Sequence, residues 1–346
     1  MNKSLKFGIV GLGAIARIHA AVLSSIDGVE LTSCFHKDGR KADSFASEYG
    51  AAGYSDFDLF LSSGIDALAI TTPSAIRTEY AIPALERGIS VIVEKPMDTD
   101  VRRARLMIDA AEKSGARLAV IFQNRFSPLN QEIRKAVSRG RLGRRILSSC
   151  YVKWYRSQEY YDSAPWRGTK ALDGGGCLMN QAIHALDLLL SLSSPLCEVF
   201  AYSALLNHER MDVEDTLVSS LRFCDGSIGS LEASTSSYPG CKRRIELTGS
   251  DGTIIAEDDH IITWDFRNME DEDSEILARF SSPSSSSASS PDVEIRDHRA
   301  EYIDFIDSIL SDRKPLVDGS EGLESLMAVN AIYESAKKGE PIRLEP

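Results

Sequence analysis

The sequence predicts an α/β protein of two domains, a doubly wound parallel sheet followed by a mainly antiparallel one. Three observations predict it. Up to Phe122, short apolar runs alternate with helical patterns of roughly 10–15 residues. A glycine-rich turn, GLGAIA, joins the first apolar run to the first helical pattern. After residue 122 the rhythm changes to extended segments in succession, separated by tight turns.

In order, LKFGIV reads as a strand and AIARIHAAVLSSI as a helix. VELTSCF and GRKADSFASEYG repeat the unit, and DALAITT with SAIRTEYAIPALERG repeats it again. SVIVEKP, VRRARLMIDAAEKSG and RLAVIFQ close the series. Parallel strands need such crossovers, which cover both faces of the sheet. Residues 1–122 are therefore expected to form the first domain and 123–346 the second. The second opens with the helix LNQEIRKAVSRGRLG and the alternating strand ILSSCYVKWYRS. EVFAYSALL, DTLVSSLRFCDGSIGSLEAST, RRIELTGSDGTIIAED and IITWDF follow as strands, with FCDGS and GSDGT as turns. RAEYIDFIDSILSD and LESLMAVNAIYESAKKG return to helix. The serine-rich stretch 281–292 reads as a solvated connector. The acidic run MEDEDSE, 269–275, reads as a solvated hairpin end without a metal-ligand pattern.

Composition narrows the partners. The chain is 43% hydrophobic and 26% charged, as folded soluble proteins are. It contains no apolar run near the ~20 residues of a membrane helix, and its start lacks the pattern of a secretory signal. A formal charge of −12 argues against nucleic acid or an anionic membrane as partner. Six cysteines lie far apart, with no C-x-x-C pair, and are expected to be reduced thiols. A cytoplasmic protein acting on small molecules is the expectation.

GIVGLGAIA places Gly11, Gly13 and Ala16 as G-x-G-x-x-A between strand and helix. The first glycine permits the tight turn, the second lets backbone approach a pyrophosphate, and the small third residue keeps helix and strand close. The helix start at Ala14 and Ile15 adds free N–H groups and a favourable dipole for phosphate. Ligands of such sheets bind beyond the carboxyl ends of the strands, which adds Thr72, Pro73, Glu94, Lys95 and Gln123 to the expected dinucleotide site. The second strand should end on a carboxylate for the ribose diol. CFHKDGRK puts His36 there, followed by Lys37, Asp38 and Arg40. Basic groups suit a 2′-phosphate, so the cofactor is read as NADP or NAD, with NADP favoured. The alternative is that Asp38 or a backbone group holds the diol of NAD.

Two further stretches carry chemistry. VIVEKP, 91–96, is a buried strand ending on Lys95, where reduced hydration lowers an ammonium pKa toward the range of proton transfer. DGGGCLMNQAIHALD, 173–187, leads through three glycines into a helical run with Asn180 and His184 four residues apart. That spacing puts both on one helical face. An amide orients a hydroxyl but does not exchange its proton at neutral pH, which leaves Lys95 and His184 as the titrating candidates. Arg125, Lys153, Arg156, Tyr160, Trp166 and Arg167 are expected to face substrate, since arginines pair bidentately with carboxylates and phosphates. Cys177 reads as a packing residue, with nothing adjacent to activate it.

G-x-G-x-x-A near the start, EKP at 94–96 and GGG-x(3)-N/D-x(3)-H-x(2)-D at 174–187 together resemble the glucose–fructose oxidoreductase and inositol dehydrogenase family. NRF at 124–126, VEDT at 213–216 and the closing DGSEGLESLMAVNAIYESAKKG extend the resemblance over nearly the whole chain. It implies an N-terminal Rossmann domain and a C-terminal α+β domain with a large open sheet for substrate and subunit contacts. It also implies hydride transfer on sugars or polyols by a homo-oligomer, dimer or tetramer. The segment from Tyr151 to Asp187 resembles 3-dehydrogenases of the UDP-N-acetylglucosaminuronate type, making a sugar or nucleotide sugar the expected substrate. Alternatives are an inositol, a dihydrodiol or another alcohol, or a dinucleotide sensor without activity. Three positions depart from the family pattern: His36 for an acid, Arg77 where a histidine is common, and Asn180 for an aspartate.

Overall fold

The computed structural model describes residues 4–281 and 291–345. They divide into two compact units, Met1–Gln123 with Pro291–Leu326, and Asn124–Ser290 with Met327–Pro346. In the first, strands β1 (Leu5–Val10), β2 (Val29–Phe35), β3 (Ala52–Tyr54), β4 (Ala67–Ile70), β5 (Ser90–Val93) and β6 (Leu118–Val120) form one sheet in the order β3-β2-β1-β4-β5-β6. Every pairing is parallel. The order reverses between β1 and β4, so the crevice beyond their carboxyl ends is where such a sheet binds its ligand. β4 and β5 are buried throughout, as their unbroken apolar runs require of strands covered on both faces.

Helices α1 (Ala14–Ser24), α2 (Gly39–Tyr49), α3 (Phe57–Leu61), α4 (Arg77–Glu86) and α5 (Val101–Ser114) connect these strands. Their ends are chemically marked. Asp38 caps α2 through the Arg40 N–H, and Asp100 caps α5 through the N–H groups of Arg102 and Arg103.

The second unit contains α6 (Pro128–Ser138), α7 (Gln158–Asp162), a π-helical turn (Cys177–Ala182) running into α8 (Ile183–Ser191), and α9 (Asp271–Phe280). Its eight strands are β7 (Arg145–Lys153), β8 (Leu196–Ala204), β9 (Thr216–Phe223), β10 (Ile228–Ser234), β11 (Arg244–Gly249), β12 (Gly252–Glu257), β13 (His260–Phe266) and β14 (Ile342–Arg343). They lie in the order β13-β12-β11-β7-β10-β9-β8-β14. All neighbours are antiparallel except β7 and β10. β9 alternates buried and exposed residues, the signature of a sheet with one covered face.

The structure corrects four expectations. The last part of the chain does not all belong to the second unit. Helix α10 (Pro291–Leu310) sends Tyr302, Phe305 and Ile306 into the buried cluster that holds Phe7, Ile9 and Ile92. Tyr302 and Phe305 meet Phe7 edge to face, with centroids 5.9 and 6.3 Å away. The next helix, α11 (Gly319–Lys338), then crosses from the first unit's residues into the second's. The cysteines are not all thiols. Antiparallel β8 and β9 set Leu196 opposite Phe223, and Cys197 bonds to Cys224 across a Cα separation of 5.3 Å. The acidic run is the start of α9, where negative charge suits the helix dipole and Asp273 is fully buried. The run bearing Asn180 and His184 is a π-turn joined to an α-helix. Most of the serine-rich connector, 282–290, lies outside the described residues. No helix among the described residues is long and apolar enough to cross a membrane.

Candidate active site

At the end of β1 the two glycines have different reasons to be glycine. Gly11 has φ +92°, and a Cβ there would lie 2.6 Å from the Thr72 backbone nitrogen. The chain's own packing therefore demands it. A Cβ at Gly13 would meet nothing within 4 Å among the described residues. No packing reason for a bare backbone is found there, and a pyrophosphate would fit the cradle that it leaves at the α1 N-terminus. Ala16 is buried at the foot of α1, while Ala14 is exposed and Ile15 half-buried. Thr72 Oγ1 and Gln123 Oε1 are buried and find no hydrogen-bond partner among the described residues. Buried polar atoms of that kind require a partner, and a dinucleotide bound beyond these strand ends would offer one. Pro73 follows Thr72, half-buried at the same strand end.

At the end of β2, the His36 Nδ1 accepts the Asp38 N–H at 2.9 Å. Asp38 in turn accepts the Arg40 N–H at 3.0 Å. Lys37 and Arg40 are exposed.

Lys95 follows β5 and is half-buried. Beside it, the buried Glu94 carboxylate accepts the Lys95 N–H at 3.1 Å and the His19 Nε2–H at 3.0 Å. His298 Nε2 lies 3.8 Å from the same oxygen, Oε1. On the far side of His19, Nδ1 is 2.7 Å from the Tyr302 hydroxyl. Burial pushes the Glu94 carboxyl up, but hydrogen bonds from His19 and His298 hold it well below its ordinary range. Burial lowers the His19 pKa against the pull of Glu94. The consistent state is an ionised Glu94 receiving a proton bond from a neutral His19, whose Nδ1 accepts from Tyr302.

In the second unit the glycine-rich lead-in is moulded around Glu214. A Cβ on Gly176 would fall 1.7 Å from the Glu214 carbonyl oxygen, and one on Gly175 would fall 2.2 Å from the Tyr333 hydroxyl. The Glu214 carboxyl accepts the N–H groups of Gly176 and Leu178, each at 3.0 Å, and the Tyr333 O–H at 2.8 Å. It thus satisfies donors that a helix start leaves open. Burial nevertheless raises its pKa above the ordinary value. Burial, with Glu214 beside it, also pushes the Cys177 thiol well up, which fits a packing role.

The π-turn is the kind of helix irregularity that recurs at functional sites. On it, Asn180 donates through Nδ2 to Asp173 and accepts from the Gln181 Nε2 at 2.9 Å. Gln181 also accepts from Arg156 at 3.1 Å and lies 3.2 Å from the Tyr160 hydroxyl. The Arg167 guanidinium covers the Tyr160 ring at 4.2 Å and the Trp166 ring at 4.7 Å. That of Arg156 lies 5.4 Å from the Tyr160 ring. The Nε atoms of Arg156 and Arg167 are buried with no partner among the described residues. The structure thus gathers Arg156, Tyr160, Trp166 and Arg167 with Asn180, one turn before the half-buried His184. Two other candidates are placed differently. Arg125 forms a buried bidentate pair with Asp187, both bonds at 2.7 Å. Lys153 meets Glu232 at 3.1 Å on the neighbouring strand. Sequence reasoning missed Asp173, Gln181, Glu214 and Tyr333 here, and His19, His298 and Tyr302 in the first unit. Only the acid of VEDT offered a signal, a carboxylate just before an apolar strand.

Residues 5–122 match an oxidoreductase family with an NAD-binding Rossmann fold, and residues 130–255 match the GFO/IDH/MocA C-terminal domain. The WlbA dehydrogenase from Bordetella pertussis, solved in complex with NADH and UDP-GlcNAcA, is 33% identical. It aligns over 100% of this chain and 99% of its own, with a TM-score of 0.91. The chain belongs to the GFO/IDH/MocA oxidoreductase family. Two curated relatives share less of their sequence with it. The scyllo-inositol 2-dehydrogenase (NAD(+)) of Bacillus subtilis is 24% identical over 100% of this chain and 98% of its own. The D-glucoside 3-dehydrogenase of Escherichia coli is 30% identical over 54% of this chain and 53% of its own. As a member of this family, the protein is an NAD-binding oxidoreductase of the dehydrogenase type.

Proposed function

We propose that this GFO/IDH/MocA oxidoreductase oxidises the C3 hydroxyl of a nucleotide-linked uronate, with NAD as cofactor. The observation that carries the substrate class is the pair of arginines on Tyr160, each with a buried Nε that has no partner among the described residues. A desolvated guanidinium edge calls for an anionic acceptor, and carboxylate or phosphate matches its fork. An inositol offers only hydroxyls and gives neither half-buried guanidinium a counter-charge. The whole-length likeness to a dehydrogenase holding UDP-GlcNAcA supports the same class. The 3-position rests on the resemblance of residues 151–187 to 3-dehydrogenases. NAD is preferred to NADP because that relative holds NADH, although Lys37 and Arg40 at the end of β2 favoured the phosphorylated form on sequence.

In this reading the α1 N-terminus, with Gly11, Gly13 and Ala16, holds the pyrophosphate, and Thr72 and Gln123 complete the cofactor's polar contacts. When bound, the nicotinamide supplies the hydride acceptor. Asn180, oriented by Asp173 and Gln181, fixes the substrate hydroxyl. Lys95 or His184 takes up its proton, a contribution of roughly 10²–10⁴ in rate. Arg156 and Arg167 bind the uronate or diphosphate. The protein is further proposed to be a homo-oligomer.

The test offers purified protein NAD or NADP with UDP-N-acetylglucosaminuronate, UDP-N-acetylglucosamine or scyllo-inositol, and follows reduced nicotinamide. The uronate should exceed its uncharged hydroxymethyl counterpart by about 100-fold in kcat/KM, the scale of a lost charge-assisted contact. Turnover of scyllo-inositol with none of the uronate would overturn the proposal.

A further inference from the structure

Arg77 opens α4 and is nearly fully buried, yet its guanidinium is turned toward backbone. Its Nε donates to the Thr72 carbonyl at 3.0 Å. Its Nη1 donates to the Glu94 carbonyl at 2.7 Å and also to the Pro96 carbonyl. These last two carbonyls stand immediately before and one residue after Lys95. The Lys95 N–H is held by the Glu94 carboxylate, itself held by His19 from α1. The backbone around Lys95 is therefore fixed by a cation at two carbonyls and by an anion at the amide, and both ions are buried.

Ending a strand does not need buried ions. Burying such charges is costly, and apolar packing is often as stable. What ions with several directional bonds do provide is a single geometry, and a proton-transfer group has to be held to within roughly 0.5 Å. We infer that Arg77, together with the His19–Glu94 pair, is a positioning device for Lys95, holding the peptide units on either side of it so that its ammonium is delivered to one place. The device ties three parts of the first unit together: the loop after β4 that carries Thr72, the end of β5, and the helix α1 that follows the glycine turn. The inference rests on the reading of Lys95 as a proton-transfer residue.

The test compares Arg77→Gln, Arg77→Lys, His19→Leu and His19→Gln with wild type, with Lys95→Ala alongside. Arg77→Gln should lower kcat by about 30–100-fold, the effect of displacing a reacting group by ~1 Å. KM and the NADH dissociation constant should stay within about threefold, since neither reads the lysine's aim. His19→Leu should act in the same direction, while His19→Gln, which keeps a donor for Glu94, should recover much of the loss. Arg77→Lys keeps the charge but not the fork and should fall between. Independently of turnover, backbone amide exchange in the peptide holding residues 94–97 should quicken by about tenfold in Arg77→Gln, with the rest of β5 unchanged. If Arg77→Gln does not fold, the two His19 variants decide by the same readouts. Unchanged kcat and exchange in folded Arg77 and His19 variants, with Lys95→Ala inactive, would overturn this inference and leave the lysine reading standing. Wild-type turnover by Lys95→Ala would remove both. Parallel losses of melting temperature, NADH affinity and kcat would reduce the cluster to a general fold element and also overturn it.

Discussion

Gly13 and Gly176 look alike in the sequence and are unlike in cause. At Gly176 the obstacle is internal, a Glu214 carbonyl oxygen 1.7 Å from where a Cβ would sit. At Gly13 the described residues offer no obstacle. Gly176→Ala should therefore destabilise the protein without any ligand, by about 1–3 kcal/mol from forced backbone shifts. Gly13→Ala should leave the melting temperature of the cofactor-free protein unchanged and weaken NADH binding by about tenfold or more, equal to ~1.4 kcal/mol. Thermal unfolding and fluorescence titration of the two variants separate the cases. A Gly13→Ala protein as unstable as Gly176→Ala would show that the cradle is structural. The same contrast explains how much of the site was legible. Gly11, Gly13 and Ala16 were readable because each has a backbone-level reason tied to its spacing. The pairing of Arg125 was not readable, because its partner, Asp187, lies 62 positions away and nothing local announces a buried pair.

Elements were legible where periodicity was strong. The alternating pattern of β9 and the unbroken apolar β4 and β5 were readable as strands. Helix α9 was not, because its start is four consecutive acids, a pattern that suits a solvated turn equally well. Only the fold shows Asp273 turned inward onto Arg141, at 2.6 and 2.8 Å, and onto the Trp264 indole N–H at 2.6 Å. Hydrogen bonds from Arg141, opposed by burial and aided by the Glu270 N–H and Trp264, hold this carboxyl at about 2 against an ordinary 3.8. A depressed carboxyl stabilises the folded state fully above its unfolded pKa, and that contribution fades as pH falls from about 4 toward 2. The shift corresponds to about 2 kcal/mol. Asp273→Asn should be less stable than wild type at neutral pH by roughly that amount. The difference should shrink steadily between pH 4 and pH 2, as read from denaturant unfolding across that range. A difference that stays constant with pH would mean that the pair contributes through shape and not through charge.

At the scale of the whole molecule, the switch in rhythm after Phe122 correctly announced a change of architecture. The return of α10 to the first core was not readable, since an amphipathic helix does not state which apolar surface it will cover. The second sheet poses a related question on its outer face. Tyr202 is opposite Val218, and Ile228 is opposite Leu147, so all four point the same way across β8, β9, β10 and β7. They are 70%, 48%, 53% and 44% exposed. Arg222, Glu232 and Lys153 interleave with them on the same face. Apolar groups grouped in this way on a long sheet, with charges among them, suit a second copy of the chain better than water. An isologous contact would place this mixed surface against itself. We expect sedimentation or light scattering at micromolar concentration to give a dimer or tetramer. Replacing both Val218 and Tyr202 with glutamate should shift it toward monomer, because the two new carboxylates would stand in one row with Glu232 and be buried twice per two-fold contact without a matching charge beside them. The melting temperature of the isolated subunit should change little, since both side chains lie on the open face. A wild-type monomer across that concentration range, or an oligomer indifferent to both substitutions, would move the subunit contact off this sheet.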